Sequence, residues 1–116
     1  MAAMKIIAIC QSGGKFVTGK DGSLSYKGGD AHAIDIDDLM KFNEFKEEVA
    51  EMFSIRADSI SIKYFIPGNK KILITISNDK DLQRMIKFHG SYSTVDIYIL
   101  IEEVAAPELS NMPASR

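Results

Sequence analysis

The sequence predicts an α+β fold, a mixed sheet with two helices on one face in the order ββαββαβ. Two stretches, residues 42–54 and 79–88, carry apolar side chains at helical spacing. Shorter stretches between and around them are rich in β-branched residues or alternate apolar with polar positions. Strands grouped in hairpins around two helices are typical of a sheet that is covered on one side.

The first strand pair comes from the N-terminal third of the chain. Residues 5–11 are almost wholly apolar, which predicts a central strand buried on both faces. Residues 15–30 are rich in glycine and lysine, with a strand of two or three residues where Leu24 and Tyr26 alternate. Residues 31–36 alternate and predict the partner strand of the first.

The first helix is predicted over residues 42–54. Asn43 is the expected N-cap, and Glu44 is favourable in the first turn because a carboxylate complements the positive end of the helix dipole. One apolar stripe faces the core; it comprises Phe45, Val49, Met52 and Phe53.

A hairpin follows the first helix. Residues 60–64 and 72–76 each place isoleucine at alternate positions, and Pro67-Gly68-Asn69 between them is a turn signal. Residues 79–88 then predict the second helix, with Asn78 as its cap. Residues 94–101 alternate again and predict the last strand.

The domain organisation is expected to be simple, because 116 residues suit one domain. Residues 1–3 are expected to be a disordered N-terminus and residues 4–102 the folded domain. From residue 103 to 116 the composition turns to Ala, Pro, Ser and Asn, which predicts a disordered tail or linker.

Composition excludes several classes of function. A net charge of -2 argues against a chain-wide attraction for nucleic acid or acidic lipid. No apolar run approaches the roughly 18 residues of a membrane span, so no membrane contact is expected. The single cysteine, Cys10, permits no disulfide within the chain and fits an intracellular protein, nuclear or cytoplasmic. Its apolar surroundings predict a core side chain.

One motif approaches a phosphate-binding loop without completing it. Gly14, Gly19 and Lys20 match the pattern G-x-x-x-x-G-K, but Asp21 stands where a hydroxyl should hold Mg²⁺. A carboxylate there repels phosphate, and a turn and strand pattern follows instead of a helix. Nucleotide binding is not expected.

No other set of residues predicts catalysis, a metal or a cofactor. His32 and His89 lie far apart, each is expected at the surface or a sheet edge, and no paired ligand spacing accompanies them. Burial of Cys10 would raise its pKa, so it is a poor nucleophile. The sequence therefore predicts a protein without enzymatic activity.

Charge is the remaining signal, and it predicts two docking faces of opposite sign. The first is basic and comprises Lys5, Lys63, Lys70 and Lys71. The second is acidic and comprises Asp79 and Asp81 at the start of the second helix. Such patches favour association with a surface of complementary sign.

An ordered set of motifs resembles the Phox-and-Bem-one (PB-one) domain, a ubiquitin-like β-grasp module, and its plant branch most of all. The strand that bears Lys5 precedes Gly-Gly-Lys at residues 13–15, the segment DGSLSYKGG at residues 21–29 and the second strand. The segment ISNDKDL at residues 76–82 is similar to the end of the family's acidic hairpin-helix motif. The resemblance covers about residues 4–102.

The resemblance implies a protein–protein interaction module, and two departures from the family's pattern refine the expectation. The acidic type carries carboxylates in the turn after the third strand, whereas residues 66–71 here include Lys70 and Lys71. The basic type uses a lysine in the first strand; that position aligns with Ile7, and Lys5 lies on the same strand face. We expect pairing with a PB-one-type partner that has an acidic face, and weak or no self-association.

Residues 9–26, ICQSGGKFVTGKDGSLSY, also resemble the N-terminal region of plant proteins derived from Mutator-like transposases. This implies an interaction domain within a larger protein. A nucleic-acid accessory domain is the alternative function, through basic side chains and two aromatic rings for stacking. Those residues are Lys15, Lys20, Lys27, Lys70 and Lys71 with Phe16 and Tyr26.

Overall fold

A computed structural model describes residues 5–90 and 92–102 of the chain. The strands are β1 (Lys5–Ser12), β2 (Lys15–Thr18), β3 (Leu24–Lys27), β4 (Asp30–Asp37), β5 (Ile60–Phe65), β6 (Leu73–Ile76) and β7 (Thr94–Ile101). The helices are α1 (Phe42–Phe53) and α2 (Asp79–Phe88), and a short 3-10 helix (Ala57–Ser59) precedes β5. The tails predicted to be disordered, residues 1–3 and 103–116, lie outside the described residues.

Five of the strands form one mixed sheet in the order β4-β1-β7-β5-β6. The central pair, β1 and β7, is parallel, and the other neighbours are antiparallel. With α1 and α2 these strands follow the predicted order ββαββαβ, so the α+β prediction is confirmed. The separate hairpin of β2 and β3 is an addition to that order.

One face of the sheet is buried and the other is not. In β1 the side chains of Ile6, Ala8 and Cys10 lie in the core, whereas Ile7 between them is 40% exposed. The prediction that this strand is buried on both faces is therefore wrong. The apolar run suggests burial on both faces, whereas the predicted arrangement with both helices on one face leaves the outer side chains of β1 exposed.

The core lies between the buried face and the two helices. Phe45 and Val49 come from α1, and Leu82, Met85 and Ile86 come from α2. Burial of side chains of this size contributes about 1.5–3 kcal/mol each to the stability of the fold.

The two helices begin differently. The N-cap of α1 is Lys41, two residues before the predicted Asn43, and the Oε1 of Glu44 accepts a hydrogen bond from the Lys41 N–H at 3.1 Å. The predicted cap of α2 is confirmed, because the Oδ1 of Asn78 accepts a hydrogen bond from the Asp81 N–H at 2.8 Å. Asn43 lies inside the first turn, where its side chain caps nothing.

The β2–β3 hairpin folds back over the outer face, the side of the sheet that the helices leave free. Phe16 and Tyr26 pack against Tyr98 of β7, with ring centroids 5.0 and 5.1 Å away, and Phe16 also lies 6.1 Å from Phe65. We call these four residues the aromatic cluster. It forms a second, smaller hydrophobic contact that holds the hairpin on the sheet.

Gly14 is required where the chain enters the hairpin. A Cβ at this position would collide with the backbone oxygen of Lys27 and lie 2.6 Å from that of Gly28. The Gly14 N–H donates to the Tyr26 hydroxyl at 2.7 Å, which ties this close approach to the aromatic cluster.

Candidate functional site

Two exposed lysines project from the turn between β5 and β6. Lys70 and Lys71 follow a tight turn in which the Asn69 N–H donates to the Ile66 oxygen at 2.9 Å. Gly68 adopts a φ of 82° there, a left-handed conformation that favours glycine. The Oδ1 of Asn69 then accepts a hydrogen bond from the Lys71 N–H at 2.9 Å. We call Lys70 and Lys71 the basic corner.

The hairpin helps to hold the basic corner in place. The Leu24 N–H of β3 donates to the Lys70 oxygen at 2.7 Å. A groove of about 460 Å³ separates the two segments; Asp21, Ser23, Gly68, Asn69, Lys70 and Lys71 line it. The backbone of the corner is thus fixed from both sides, while the lysine side chains reach solvent.

Asp21 adds one negative charge to this groove. Its Oδ1 accepts hydrogen bonds from the Ser23 hydroxyl at 2.6 Å and from the Ser23 N–H at 3.0 Å. These bonds, that from the hydroxyl first, lower the pKa of the Asp21 carboxyl because they stabilise its charged form. The groove therefore has a charged carboxylate at one side and two ammonium groups at the other.

Lys63 lies on the outer face of β5 rather than in the turn. Its Nζ donates to the Oγ1 of Thr75, which is its cross-strand neighbour in β6, at 2.8 Å. Its neighbour on the other side is Tyr98 of the aromatic cluster. Lys63 is half-buried and held against the sheet, two residues before the end of β5.

Lys5 lies far from the other three lysines, so the predicted basic face is divided. It begins β1 opposite Asp37, and β7 separates β1 from β5. Gln11 is the β1 residue level with Tyr98, and so with Lys63. Gln11 is six positions after Lys5, which corresponds to about 20 Å along the strand.

Asp79 and Asp81 lie together at the start of α2, but both have roles inside the fold. The Oδ1 of Asp79 accepts a hydrogen bond from the Phe42 N–H at 2.6 Å. The Oδ2 of Asp81 accepts two from Ser77, from its N–H and its hydroxyl, each at 3.0 Å. One oxygen of each carboxylate is therefore already used by a helix end or the loop before it.

Sequence reasoning did not assign a role to the carboxylates on the outer face. Asp35 and Asp37 of β4 point away from the core, because Ile34 and Ile36 point into it. Asp96 of β7 lies on the same outer face, beside β1. The alternation of acidic and isoleucine positions in β4 was the signal for their orientation.

The two histidines have different environments. His32 is exposed on the edge strand β4, as predicted. His89 is only 7% exposed, so the prediction of a surface position is wrong. Its Nδ1 lies 2.9 Å from the Met85 oxygen, and its ring packs between Tyr64 and Tyr92. Aromatic packing at the end of α2, which one-dimensional spacing does not reveal, accounts for the difference.

Cys10 is fully buried in β1, as predicted. Burial, with a smaller contribution from the charge of Glu48, raises the pKa of its thiol to about 12. Within the described ranges, no three side chains of the types His, Cys, Asp and Glu are grouped to hold a metal ion. In that same part of the chain, no helix is long and apolar enough to cross a membrane.

The two rings considered for base stacking are already engaged. Phe16 and Tyr26 are half-buried in the aromatic cluster, and the Tyr26 hydroxyl accepts a hydrogen bond from Gly14. Lys15 and Lys27 face each other across the hairpin as exposed like charges. The hairpin offers positive charge to a nucleic acid, but its rings are packed on the sheet.

Comparison with known proteins identifies the family. The family model of the PB1 domain, the Phox-and-Bem-one domain, matches residues 20–104. The structure is similar to the AtNBR1-PB1 domain, with a TM-score of 0.53 and 16% identity over 85% of this chain and 99% of that one. It is also similar to the cryo-EM structure of the AtNBR1-PB1 filament (L-type), with a TM-score of 0.57 and 14% identity over 82% of this chain and 94% of that one. These likenesses show a shared ubiquitin-like α+β fold.

Proposed function

Because the chain belongs to the PB1 domain family, whose members are protein–protein interaction modules, we propose that it binds a protein partner through the basic corner. The partner is a PB1-type domain with an acidic face. One observation carries the proposal: Lys70 and Lys71 are exposed on a turn whose backbone is already fixed by hydrogen bonds. A fixed turn loses little conformational entropy when a partner binds.

Lys63 supplies a third positive charge near this contact. Its hydrogen bond to Thr75 keeps the ammonium group on the outer face, where a partner that overlaps the edge of the turn would meet it. Lys5 lies on the same face but toward the opposite edge of the sheet, and it would belong to a separate contact. Each exposed ion pair contributes about 0.2–1 kcal/mol, so several are needed. Binding should weaken as salt rises.

Association is heterotypic in this proposal, with weak or no self-association. Asp79 and Asp81 would form the acidic face toward a second copy, yet each has one oxygen engaged within the fold. The turn that precedes β6 carries lysines in place of carboxylates. One of the similar structures is an AtNBR1-PB1 filament, and that protein therefore assembles through this fold. In this proposal the start of α2 offers only Asp79 and Asp81 to a second copy, which makes such a contact weak.

We also propose that the domain serves a larger, transposase-derived plant protein inside the cell. The support is the resemblance of residues 9–26 to the N-terminal region of Mutator-derived proteins. In such a protein the domain would recruit a partner and leave the chemistry to other regions.

An NMR titration tests the proposal. The ¹⁵N-labelled chain is mixed with a PB1-type domain that has an acidic face, at low salt and again at high salt. The amides of Ile66 and of residues 68–71 should shift, and Lys70→Gln with Lys71→Gln should weaken binding about tenfold, as expected for two exposed ion pairs.

The matched control removes two exposed lysines elsewhere, Lys41→Gln with Lys87→Gln. It changes the net charge equally and should weaken binding no more than twofold. Equal weakening by both double variants, or unchanged binding of the Lys70 and Lys71 variant, would contradict the proposed site.

A further inference from the structure

The hairpin covers only part of the outer face. Phe16 and Tyr26 reach Tyr98 of β7 and Phe65 of β5. Toward β4, the outer side chains of Lys5, Ile7 and Asp35 stay exposed, as do those of Thr94 and Asp96 at the start of β7. We call this part the open face; it comprises Lys5, Ile7, Ile9, Asp35, Asp37, Thr94 and Asp96.

An apolar side chain lies at the middle of the open face. Ile7 is 40% exposed although it occupies a central strand. Its cross-strand neighbours are Asp35 in β4 and Thr94 in β7. Side chains at such positions lie about 4.5–5.5 Å apart at Cβ, so Ile7 is in reach of anything that contacts Asp35. A shallow cavity of about 530 Å³ adjoins it, between β1, β4 and Ser93.

Carboxylates flank this isoleucine on both sides. Asp35 and Asp37 lie along β4, and Asp96 lies beside Ile9 in β7. Three negative charges against the single positive charge of Lys5 leave the open face at -2, equal to the formal charge of the whole chain. Among the described residues the one ion pair is between Arg56 and Asp58, so no ion pair neutralises these carboxylates there. The Oδ1 of Asp37 accepts a hydrogen bond from the Leu39 N–H at 2.9 Å, which leaves its second oxygen for a partner.

We propose that the open face binds a basic protein segment with one apolar side chain that packs on Ile7. Lysine or arginine residues on either side of that anchor would reach Asp35 and Asp37 in one direction and Asp96 in the other. The complementarity of charge favours such a partner over an acidic protein, a nucleic acid or an anionic membrane. This surface is opposite in sign to the basic corner and adjoins it at one cavity, which Asp96 and Lys70 both line.

Short synthetic peptides test the inference on the whole chain. A peptide that alternates lysine and valine should shift the amides of β1, β4 and the start of β7 in an NMR titration. A lysine–serine peptide, which keeps the charge and lacks the apolar anchor, should bind at least threefold more weakly. A glutamate–valine peptide should shift none of these amides.

Variants locate the contact. Asp35→Asn with Asp37→Asn should weaken binding of the lysine–valine peptide about fivefold, as expected for the loss of two exposed ion pairs. Ile7→Thr, which keeps the β-branched shape, should abolish the preference for valine over serine. The matched control is Glu47→Gln with Glu51→Gln on the exposed side of α1, which changes the charge equally.

Three results would overturn the inference. If the double variants in β4 and in α1 weakened binding of the lysine–valine peptide equally, the peptide would be attracted to the acidic protein without a specific site. Shifts centred on the hairpin would place the peptide elsewhere. Shifts of the open-face amides that follow protein concentration without peptide would mean that a second copy occupies it. Lys70→Gln with Lys71→Gln should not weaken peptide binding, so this test fails or succeeds independently of the basic corner.

Discussion

Asp79 and Phe42 are 37 positions apart, and the Oδ1 of Asp79 accepts a hydrogen bond from the Phe42 N–H at 2.6 Å. Phe42 is the first residue of α1, and Asp79 is the first residue of α2. One carboxylate therefore lies at the positive end of both helix dipoles and caps one of the free N–H groups of α1. It couples the two helices that cover the core.

Asp79→Ala should destabilise the fold by about 1–2 kcal/mol, because the Phe42 N–H loses its partner and both helix ends lose a favourable charge. Asp79→Asn should cost less, since its amide oxygen can still accept the bond. Urea unfolding at pH 7 measures both. Asp58→Ala is the control, at an exposed carboxylate that pairs with Arg56 and accepts a long hydrogen bond of 3.4 Å from the Ser59 hydroxyl, and it should shift the midpoint much less. Equal midpoints for Asp79→Ala and the wild type would contradict the coupling.

Gly14→Ala should destabilise the fold by about 1–3 kcal/mol, because the added methyl group would push β2 away from the Lys27 and Gly28 oxygens. Gly22→Ala is the matched control. Gly22 has a φ of 87° with nothing within 4 Å of an added Cβ, so it measures conformational strain alone, about 1 kcal/mol. Thermal unfolding compares them. The close approach is unimportant if Gly14→Ala is the milder change.

The Cys10 thiol should resist modification in the folded chain at pH 8. Its pKa of about 12 lies far above that pH, and its side chain is inaccessible, so a chromogenic disulfide reagent should react only in urea. A folded chain that reacts as fast as the unfolded one would contradict this.

The raised pKa of the Cys10 thiol also predicts that the fold becomes less stable at high pH. The folded state disfavours the thiolate, and an unfolded cysteine ionises near pH 8.5. The contribution to stability is therefore fully present below about pH 8.5 and is lost as pH rises toward 12. Cys10→Ala should show a shallower decline over that interval than the wild type in urea unfolding followed by far-ultraviolet circular dichroism.

Phe16→Ala should loosen the hairpin more than the core. Phe16 contacts three rings of the aromatic cluster, and aromatic pairs contribute about 0.5–1.5 kcal/mol each beyond burial. Hydrogen exchange of β2 and β3 amides should accelerate at least tenfold, while that of β7 changes much less. Val17→Ala, on the solvent side of the same strand, is the control and should leave exchange unchanged. Uniform acceleration across the chain would mean that the hairpin does not open separately.

Periodicity was sufficient to predict the helices and the strands of the main sheet, because one face of each is apolar. It was also sufficient for the cap at Asn78, a local contact three residues long. The strand β2 was missed, since Lys15–Thr18 is only four residues long with glycines on both sides, and the contact of Phe16 with Tyr98 is not local in sequence. The exposure of Ile7 was missed because the apolar run alone suggests burial on both faces, although the predicted position of both helices on one face leaves Ile7 on the other.

The candidate site was predictable in its local parts. The turn signal at Pro67-Gly68-Asn69 placed Lys70 and Lys71 at the surface, where they are. The separation of Lys5 was not predictable, because the order of strands in the sheet inserts β7 between β1 and β5. The contact of Asp79 with Phe42 likewise depends on how the two helices pack.

The hydrogen bond from Leu24 to Lys70 has a consequence for how partner preference can change among relatives. A longer or shorter connection between β2 and β3 would reposition the Lys70 backbone and so redirect two ammonium groups without replacing either lysine. Natural selection for a new binding partner would then leave its mark in a segment that makes no intermolecular contact.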